Sequence, residues 1–231
     1  MFELGLTRDL HIREERLSIR HDACRLLYVS DIHLRSGRSD WLSRQVLASV
    51  TRCNPDAVLL GGDLVDRASE LIKLTELVRT LREIAPVLAI AGNHDCQVGI
   101  DRVSGAVAQG GGQWIHRHVA RLTHRGRLIA IAGPESAPPA EGDVRVLCGH
   151  HPRIWKAART AGYDLVLAGH LHGCQLVAGE CRGRLLPGAL FYRYCVLSHH
   201  HDSTRLVVSR GVSDLVPIRW QCPREVVICH V

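Results

Sequence analysis

Aromatic side chains are scarce in this chain of 231 residues, at 4% of the composition. So few rings leave little surface for stacking nucleic-acid bases, which disfavours a nucleic-acid partner. Long apolar runs are also missing, and none approaches the roughly 20 residues that a membrane-spanning helix requires. The first ten residues carry acidic and basic side chains and lack the apolar centre of a secretion signal. We therefore expect a cytoplasmic protein.

Cys-x-x-Cys pairs are absent as well, although the chain contains nine cysteines. The odd number and the scattered positions argue against a disulfide framework and against a structural zinc site. Three of the cysteines, Cys148, Cys195 and Cys229, stand within apolar runs, where we expect buried, reduced thiols. The formal charge of +6 suits a protein that handles anions, whether phosphates, nucleic acid or a lipid surface.

Short apolar, β-branched segments recur along the chain and predict strands. They cover residues 25–29, 57–60, 87–90, 128–132, 144–148, 165–168, 206–208 and 226–229. Most are continuously apolar, which indicates strands covered on both faces. Amphipathic stretches around residues 42–50, 71–84 and 152–161 lie between them and predict helices, with Ser69 available to cap the second.

The alternation of strands and helices predicts an α/β fold. Residues 114–132 and 192–209 each form two apolar runs around a turn, so we expect antiparallel pairs and therefore mixed sheets. No stretch rich in Pro, Ser or charge divides the chain. We predict a single domain over residues 1–231, in which residues 1–24 form an extension that leads into the first core strand.

Metal-binding side chains follow these predicted strands. They come in five groups: Asp31-x-His33, Gly62-Asp63, Gly92-Asn93-His94-Asp95, Gly149-His150-His151-Pro152 and Gly169-His170-x-His172. Ligands of α/β proteins gather beyond the carboxyl ends of the strands, so we expect these groups to meet. No single group fills even one metal ion, whereas together they suit two divalent cations.

The five groups differ in how strongly each one alone indicates a metal site. Asp31 and His33 are two apart on an extended segment and can hold one cation together, and Gly62 lets the Asp63 carboxylate approach and bridge two cations. Each of these two groups also fits an ordinary surface turn. Carboxylate, amide and imidazole donors without a thiolate favour Mn, Fe, Co or Zn over Ca or Mg.

The Gly92-Asn93-His94-Asp95 group is more specific. Asn93 offers an amide oxygen to a metal, and His94 can protonate a leaving group from just outside the ligand sphere. Asp95 can hold the His94 imidazole protonated and oriented. A Gly-Asn turn with a capping Asp is the structural alternative.

The order of these motifs resembles that of the calcineurin-like metallophosphoesterases, from about Leu26 to the C-terminus. Within that family the chain is similar to the bacterial branch of YkuE- and YaeI-type phosphodiesterases. This closer likeness rests on residues 169–175, 186–190, 208–212 and 223–226. The resemblance implies the metallophosphoesterase fold, a four-layer αββα sandwich of two mixed β-sheets flanked by helices, with the dimetal site at one end.

The resemblance also implies a ligand set and a reaction. Asp31, His33, Asp63 and His172 would hold one metal, and Asp63, Asn93, His150 and His170 would hold the other. Manganese is the favoured ion, with Fe, Zn and Co as alternatives. The implied reaction is hydrolysis of a phosphodiester or pyrophosphate by a metal-bridging hydroxide, with His94 as the acid assisted by Asp95.

The implied substrate is a phosphorylated small molecule or a nucleotide- or lipid-linked one, such as UDP-2,3-diacylglucosamine. Peripheral contact with the inner face of the membrane would accompany a lipid substrate. A nuclease, a phosphomonoesterase and a non-catalytic scaffold are the alternatives, and the oligomeric state stays open. Leu171 and Cys174 stand where the branch has Thr and Gly, which affects the shape of the pocket but not the ligands.

Overall fold

The structure, a computed structural model, describes residues 2–5, 8–18, 20–139, 141–214 and 216–231. The strands are β1 (Phe2–Leu4), β2 (His11–Arg16), β3 (Arg25–Val29), β4 (Ala57–Leu60), β5 (Val87–Ala89), β6 (Gln113–Trp114), β7 (Val119–His124), β8 (Arg127–Ala132), β9 (Val144–Cys148), β10 (Leu165–Ala168), β11 (Val177–Cys181), β12 (Arg184–Pro187), β13 (Ser198–His201), β14 (Thr204–Val208), β15 (Ile218–Trp220) and β16 (Glu225–His230). The helices are α1 (Ser39–Cys53), α2 (Leu71–Arg82), α3 (Asn93–Val98), α4 (Ile100–Gln109), α5 (Trp155–Ala158) and α6 (Gly188–Phe191).

Two mixed sheets form the centre of the fold. The first has the order β2-β16-β3-β4-β5-β6, in which β3 to β6 are parallel and β16 runs antiparallel to β3. The second has the order β13-β14-β10-β9-β8-β7, with a parallel centre and an antiparallel strand at each edge. The expected hairpins are β7 with β8 and β13 with β14.

The packing of β3 shows why the predicted strands are continuously apolar. Leu27 and Val29 pack against the apolar faces of α1, α2 and α4, whereas Leu26 and Tyr28 face the second sheet. The outer face of the second sheet packs against Trp155 of α5. Both faces of the central strands are therefore buried. The layers run helix, sheet, sheet, helix, which confirms the four-layer αββα fold.

Several local expectations need correction. Residues 1–24 are more than an extension, because β2 pairs in parallel with β16 and so belongs to the first sheet. Ser69 does not cap α2, whose N-cap residue is Glu70 and lacks a side-chain cap hydrogen bond. Helices α3 and α4 were not expected, because Gly99 and Gly105 interrupt their apolar pattern. The single-domain assignment stays a prediction.

One cysteine expectation is also corrected. Cys195 forms a disulfide with Cys174, whereas Cys148 and Cys229 are buried free thiols as predicted. The disulfide joins the loop after His172 to the segment after α6. Within the described residues, every helix is too short or not apolar enough to cross a lipid bilayer.

Candidate metal centre

The predicted ligands stand just beyond the carboxyl ends of strands from both sheets. Asp31 and His33 follow β3, Asp63 follows β4, and Asn93 is the first residue of α3. From the second sheet, His150 follows β9, and His170 and His172 follow β10. The two sheets thus bring all seven side chains to one end of the sandwich.

Backbone conformation directs several of these side chains inward. Five of the seven predicted ligands have φ between 48° and 70°, the left-handed region that L-residues rarely occupy: Asp31, His33, Asp63, His170 and His172. Such conformations cost free energy and concentrate at functional sites. Their occurrence just after β3 and β4 of the first sheet and β10 of the second points to a ligand-binding centre.

One cluster combines Asp31, His33 and His172, whose ligand atoms lie within 4.8 Å of one another. All three side chains are buried. His172 Nε2 lies 3.8 Å from Asp31 Oδ1. The Asp31 carboxylate accepts a hydrogen bond from the backbone N–H of His170, at 3.0 Å, which fixes its orientation.

A second cluster combines Asp63, His150 and His170 in the same way. His150 Nε2 lies 3.3 Å from Asp63 Oδ2 and 3.2 Å from the amide oxygen of Asn93. Asp63 Oδ2 is also 3.7 Å from His33 Nε2 in the first cluster. Asp63 therefore lies between the two clusters, where its carboxylate can serve both.

The hydrogen bonds of the imidazoles test whether this site suits cations. His33 Nδ1 donates to Asp66 at 2.6 Å, His150 Nδ1 to the Gly61 carbonyl at 2.9 Å, and His172 Nδ1 to the Ser213 carbonyl at 3.0 Å. In the neutral form that binds a metal, each ring directs an Nε2 lone pair at a carboxylate, and His33 Nε2 is buried with no hydrogen-bond partner. Metal-binding histidines show this arrangement. The donor set fits two divalent cations.

The electrostatics of the centre favour positive charge. Burial acts to raise the pKa of Asp63, but the hydrogen bond and charge of His150 outweigh it, so this pKa lies below its ordinary value. Burial acts to lower the pKa of His150, whereas the Asp63 and Asp31 carboxylates raise it to about 9. The buried carboxylates thus attract cationic charge to the space between them.

His94 lies beside the clusters and pairs with Asp66. Its Nδ1 is 3.0 Å from Asp66 Oδ1, the same oxygen that accepts from His33. His94 is partly exposed, so a substrate can reach it. Its ring also lies close enough to His33 and Asp63 to act as a ligand. Counting bound metal in a His94 variant would separate these two roles.

The structure gives Asp95 different contacts from those expected. Its fully buried carboxylate accepts hydrogen bonds from the backbone N–H groups of Leu64, Val65 and Gly92, at 2.8–3.1 Å. Burial raises the pKa of Asp95 to about 6, although these N–H groups act to lower it. These contacts fit a role in holding two loops together, and Asp66 occupies the position of the carboxylate that orients His94.

A buried arginine, which the sequence did not indicate, contacts the loop that orients His172. Arg219 Nη2 donates to the Ser213 carbonyl at 2.8 Å, and that carbonyl also accepts from His172 Nδ1. Arg219 also pairs with buried Asp214. No residue spacing could have indicated this contact, because it depends on how residues 208–214 fold beneath the His172 loop.

Two cavities adjoin the centre. One, of about 390 Å³, is lined by Asn93, His150 and His170 among others. The other, of about 540 Å³, extends from His170 and His151 to α6. Its walls carry three cations and three aromatic rings: Arg153, Lys156, Arg193, Phe191, Tyr192 and Tyr194. Phe191 in this wall is 79% exposed, and Leu190, which precedes it in α6, is 74% exposed.

Comparison with protein families identifies the chain. Residues 24–174 match the model of the calcineurin-like phosphoesterases. The chain belongs to the calcineurin-like phosphoesterase family. The family resemblance expected from the motifs is thereby confirmed. Members use divalent metal ions, and the clusters described above supply the corresponding ligand types. The protein is therefore a metal-dependent phosphoesterase.

Individual relatives agree with this family. The chain is 25% identical over 221 residues to phosphodiesterase YaeI of Escherichia coli K12, covering 90% of this chain and 82% of YaeI. It is 25% identical over 209 residues to the uncharacterized metallophosphoesterase YkoQ of Bacillus subtilis 168, covering 82% of this chain and 76% of YkoQ.

Solved structures share the family fold. TT1561 of Thermus thermophilus superposes with a TM-score of 0.51 at 14% identity, over 83% of this chain and 91% of that protein. A dimetal phosphatase from Danio rerio superposes with a TM-score of 0.51 at 10% identity, over 85% and 90% of the two chains. At these identities the likeness establishes the fold alone.

Proposed function

We propose that this protein hydrolyses a phosphodiester or pyrophosphate bond at a two-metal centre. The observation that carries the proposal is the pair of adjoining ligand clusters with Asp63 between them and His94 beside them. The relationship to YaeI, a phosphodiesterase by name, supports the choice of a diester.

Seven side chains would hold the cations. Asp31, His33, Asp63 and His172 would bind one, and Asp63, Asn93, His150 and His170 would bind the other. Bound cations of this kind supply an activated water and screen the charge that develops during in-line displacement at phosphorus. Manganese is the ion we would test first, because the donors are oxygen and nitrogen without sulfur. The same donor set also suits Fe, Zn and Co.

His94 would donate a proton to the leaving oxygen. Its Nδ1 faces Asp66, so the Nε2 edge is the one that can reach the substrate. The contact of Nδ1 with the Asp66 carboxylate fixes the plane of the ring. General acid catalysis of this type contributes roughly 10²- to 10⁴-fold to the rate.

The larger cavity supports a diester with a sizeable second substituent. It begins at His170 and His151, so a phosphate bound between the clusters would direct one ester group into it. Arg153, Lys156 and Arg193 offer positive charge to a further phosphate. Three of the ten Phe, Trp and Tyr residues of the chain line this one cavity, which suits a planar base.

The exposed rim supports an amphiphilic substrate. Leu190, Phe191 and Tyr192 present apolar surface next to the cationic wall. A nucleotide-linked lipid such as UDP-2,3-diacylglucosamine has matching groups, with a base and pyrophosphate for the cavity and acyl chains for the rim. In its specific form, the proposal is that a cytoplasmic protein acts on such a substrate. The protein would then contact the inner face of the membrane peripherally.

The first test compares turnover of bis-p-nitrophenyl phosphate, p-nitrophenyl phosphate and thymidine 5′-p-nitrophenyl phosphate by the Mn²⁺-loaded protein. We expect both diesters to exceed the monoester, and the nucleoside diester to have the lower KM. His94→Ala should lower kcat by at least about 100-fold for a diester with an alkyl leaving group, and by less for the p-nitrophenyl esters, because p-nitrophenolate departs without a proton. Metal content of this variant should stay at the wild-type level. His118→Ala, which alters an exposed histidine, is the matched control.

Other outcomes would redirect the assignment. Preference for the monoester would indicate a phosphomonoesterase, and faster cleavage of single-stranded DNA than of any small diester would indicate a nuclease. Two bound metals without turnover of any ester, including UDP-2,3-diacylglucosamine, would favour the non-catalytic scaffold.

A further inference from the structure

Three metal-binding side chains meet at the end of the sandwich opposite the dimetal centre. They are Cys24, Asp56 and His124, and their sulfur, oxygen and nitrogen ligand atoms lie within 4.8 Å of one another. Cys24 and Asp56 immediately precede β3 and β4 of the first sheet, and His124 ends β7 of the second sheet. The cluster therefore spans both sheets at the amino ends of β3 and β4.

The orientation of His124 calls for a positive charge within the cluster. His124 Nε2 lies 3.1 Å from the backbone carbonyl of Asp22, which can only accept, so Nε2 carries the proton. In the neutral ring, the lone pair of Nδ1 then faces Asp56 Oδ1 at 3.4 Å. Two acceptors face each other across this gap. The contact is favourable only with a proton or a cation between them.

Asp56 is oriented toward the same point. Its Oδ2 accepts a hydrogen bond from the backbone N–H of Arg25 at 2.7 Å, which leaves Oδ1 to face His124. Cys24 is buried, and its backbone is fixed by hydrogen bonds with Val231 in both directions. Backbone groups thus orient the Asp56 and His124 side chains and fix the position of Cys24 before any ion binds.

We propose that Cys24, Asp56 and His124 form a zinc site separate from the dimetal centre. The 3.4 Å between His124 Nδ1 and Asp56 Oδ1 is roughly the spacing of two ligands on a tetrahedral zinc with bonds of about 2.0–2.1 Å. Cys24 would bind as the thiolate and release its proton to solvent. Asp56 and His124 are partly exposed, so a water molecule can complete the tetrahedron.

Zinc in this position would tie the two sheets together. The core between the sheets is mostly apolar and non-directional. A metal held by Cys24, Asp56 and His124 would add a directional link between the sheets at this end. The expected role is structural. The proposal does not depend on the proposed function, because none of the three residues contributes to the dimetal centre.

A cobalt titration tests the proposal, because only a site that contains sulfur gives the near-ultraviolet thiolate-to-cobalt charge-transfer band. We expect this band when Co²⁺ is added to the metal-free wild-type protein under a phosphine reductant. Cys24→Ser should abolish the band and lower the zinc content after dialysis by one ion per chain. His124→Asn, which leaves the buried thiol in place, should weaken the band strongly.

Two cysteine controls locate the signal. Cys53→Ser alters another buried thiol, and Cys96→Ser alters an exposed thiol beside Asn93 at the dimetal centre. Both variants should keep the band and the zinc content. A wild-type protein that fills its dimetal centre without the band, or a band that survives both Cys24→Ser and His124→Asn, would overturn the proposal. The cluster would then be a hydrogen-bonded thiol, carboxylate and imidazolium network.

Discussion

At the scale of single residues, two aspartates near His94 have opposite surroundings. Asp66 is half-buried and shares one oxygen between the Nδ1 atoms of His33 and His94. Asp95 is fully buried, and both of its oxygens accept backbone N–H groups. The first arrangement orients side chains that meet the substrate or a metal, and the second holds the loops that carry them.

Replacing each aspartate by asparagine should separate these roles. Asp66→Asn should lower kcat roughly 10- to 100-fold at saturating Mn²⁺, since the amide is a weaker acceptor for the His94 and His33 rings and orients them less firmly. Asp95→Asn should lower the free energy of unfolding by about 1–3 kcal/mol, since one of its two acceptor oxygens becomes a donor.

Steady-state kinetics over pH and denaturant unfolding check these two variants. The assignment would be contradicted by a larger kcat loss in Asp95→Asn than in Asp66→Asn, measured on equal amounts of folded protein. In that case Asp95 would act on His94 as the sequence pattern first indicated.

Residue types and spacing were enough to find the metal ligands, and insufficient to find their supporting contacts. Asp31, Asp63 and His150 each follow an apolar run, so their place at a strand end was predictable. Asp66 stands three residues after Asp63 in the sequence, but its contact with His94 depends on the path of the loop after β4. Cys24, Asp56 and His124 are far apart in sequence and lie at strand beginnings and a hairpin end, where no periodic signal marks them.

At the scale of elements, the close approach of two strand-end loops positions Asp63. A Cβ atom at Gly92 would lie 2.2 Å from Asp63 Oδ1 and 2.3 Å from the Asp63 backbone nitrogen. Gly92 ends the loop after β5, and Asp63 ends the turn after β4. Only glycine lets these two loops pack at this distance.

Gly92→Ala should therefore displace Asp63 and weaken metal binding. We expect at least one cation to be lost on dialysis and turnover to fall with it, as measured by metal analysis and diester hydrolysis. Gly105→Ala is the matched control, because a Cβ there meets nothing within 4 Å and alanine favours the helix by up to about 1 kcal/mol. Wild-type metal content in Gly92→Ala would show that the loops can separate without harm.

The loop from β14 to β15 orients His172, and a buried arginine of β15 holds that loop. Arg219 is 1% exposed and donates to the carbonyls of Arg210 and Ser213, and the Ser213 carbonyl also orients His172. Lysine can keep the charge opposite Asp214 but lacks the planar fork that reaches both carbonyls. The orientation of His172 thus depends on the position of the whole loop that carries Ser213.

Arg219→Lys should weaken metal affinity roughly 10- to 100-fold, as for other groups that orient a metal-binding histidine. Competition with a fluorescent chelator measures the affinity. Arg20→Lys, in an exposed ion pair with Asp22, should leave it unchanged. Equal affinities in the two variants would mean that the Ser213 carbonyl keeps its position without Arg219.

At the scale of the whole molecule, polar contacts add to the apolar packing between the two sheets, including an ion pair between Arg205 of β14 and Glu15 of β2 at 2.9 Å. At the catalytic end, the Tyr28 hydroxyl donates to the Gly149 carbonyl at 2.7 Å and links the two sheets below the metal ligands. Buried Asp31 and Asp63 lack any Lys or Arg among their recorded ion pairs within the described residues. Cations at this end should therefore contribute to stability.

Removal of metal from the Cys24→Ser variant should lower its free energy of unfolding. Because this variant lacks the proposed zinc site, the effect reports on the dimetal centre alone. Mn²⁺ at about 1,000 times its Kd would stabilise the fold by about 4 kcal/mol through mass action. Thermal unfolding with chelator and after Mn²⁺ return measures the shift. When Asp63→Asn is added to this variant, the change in unfolding temperature on Mn²⁺ return should be much smaller. An equal change would mean that the stabilising metal binds elsewhere.

The position of β16 has a consequence for synthesis on the ribosome. It lies between β2 and β3 in the first sheet, although it is the last strand in chain order among those described. Until β16 has been made, β3 lacks its neighbour on one side, and the Asp31–His33 segment is not held by a complete sheet. The emerging chain would thus expose an unpaired apolar strand edge and a half-built metal centre until β16 is available. Metal loading should therefore follow the synthesis of β16.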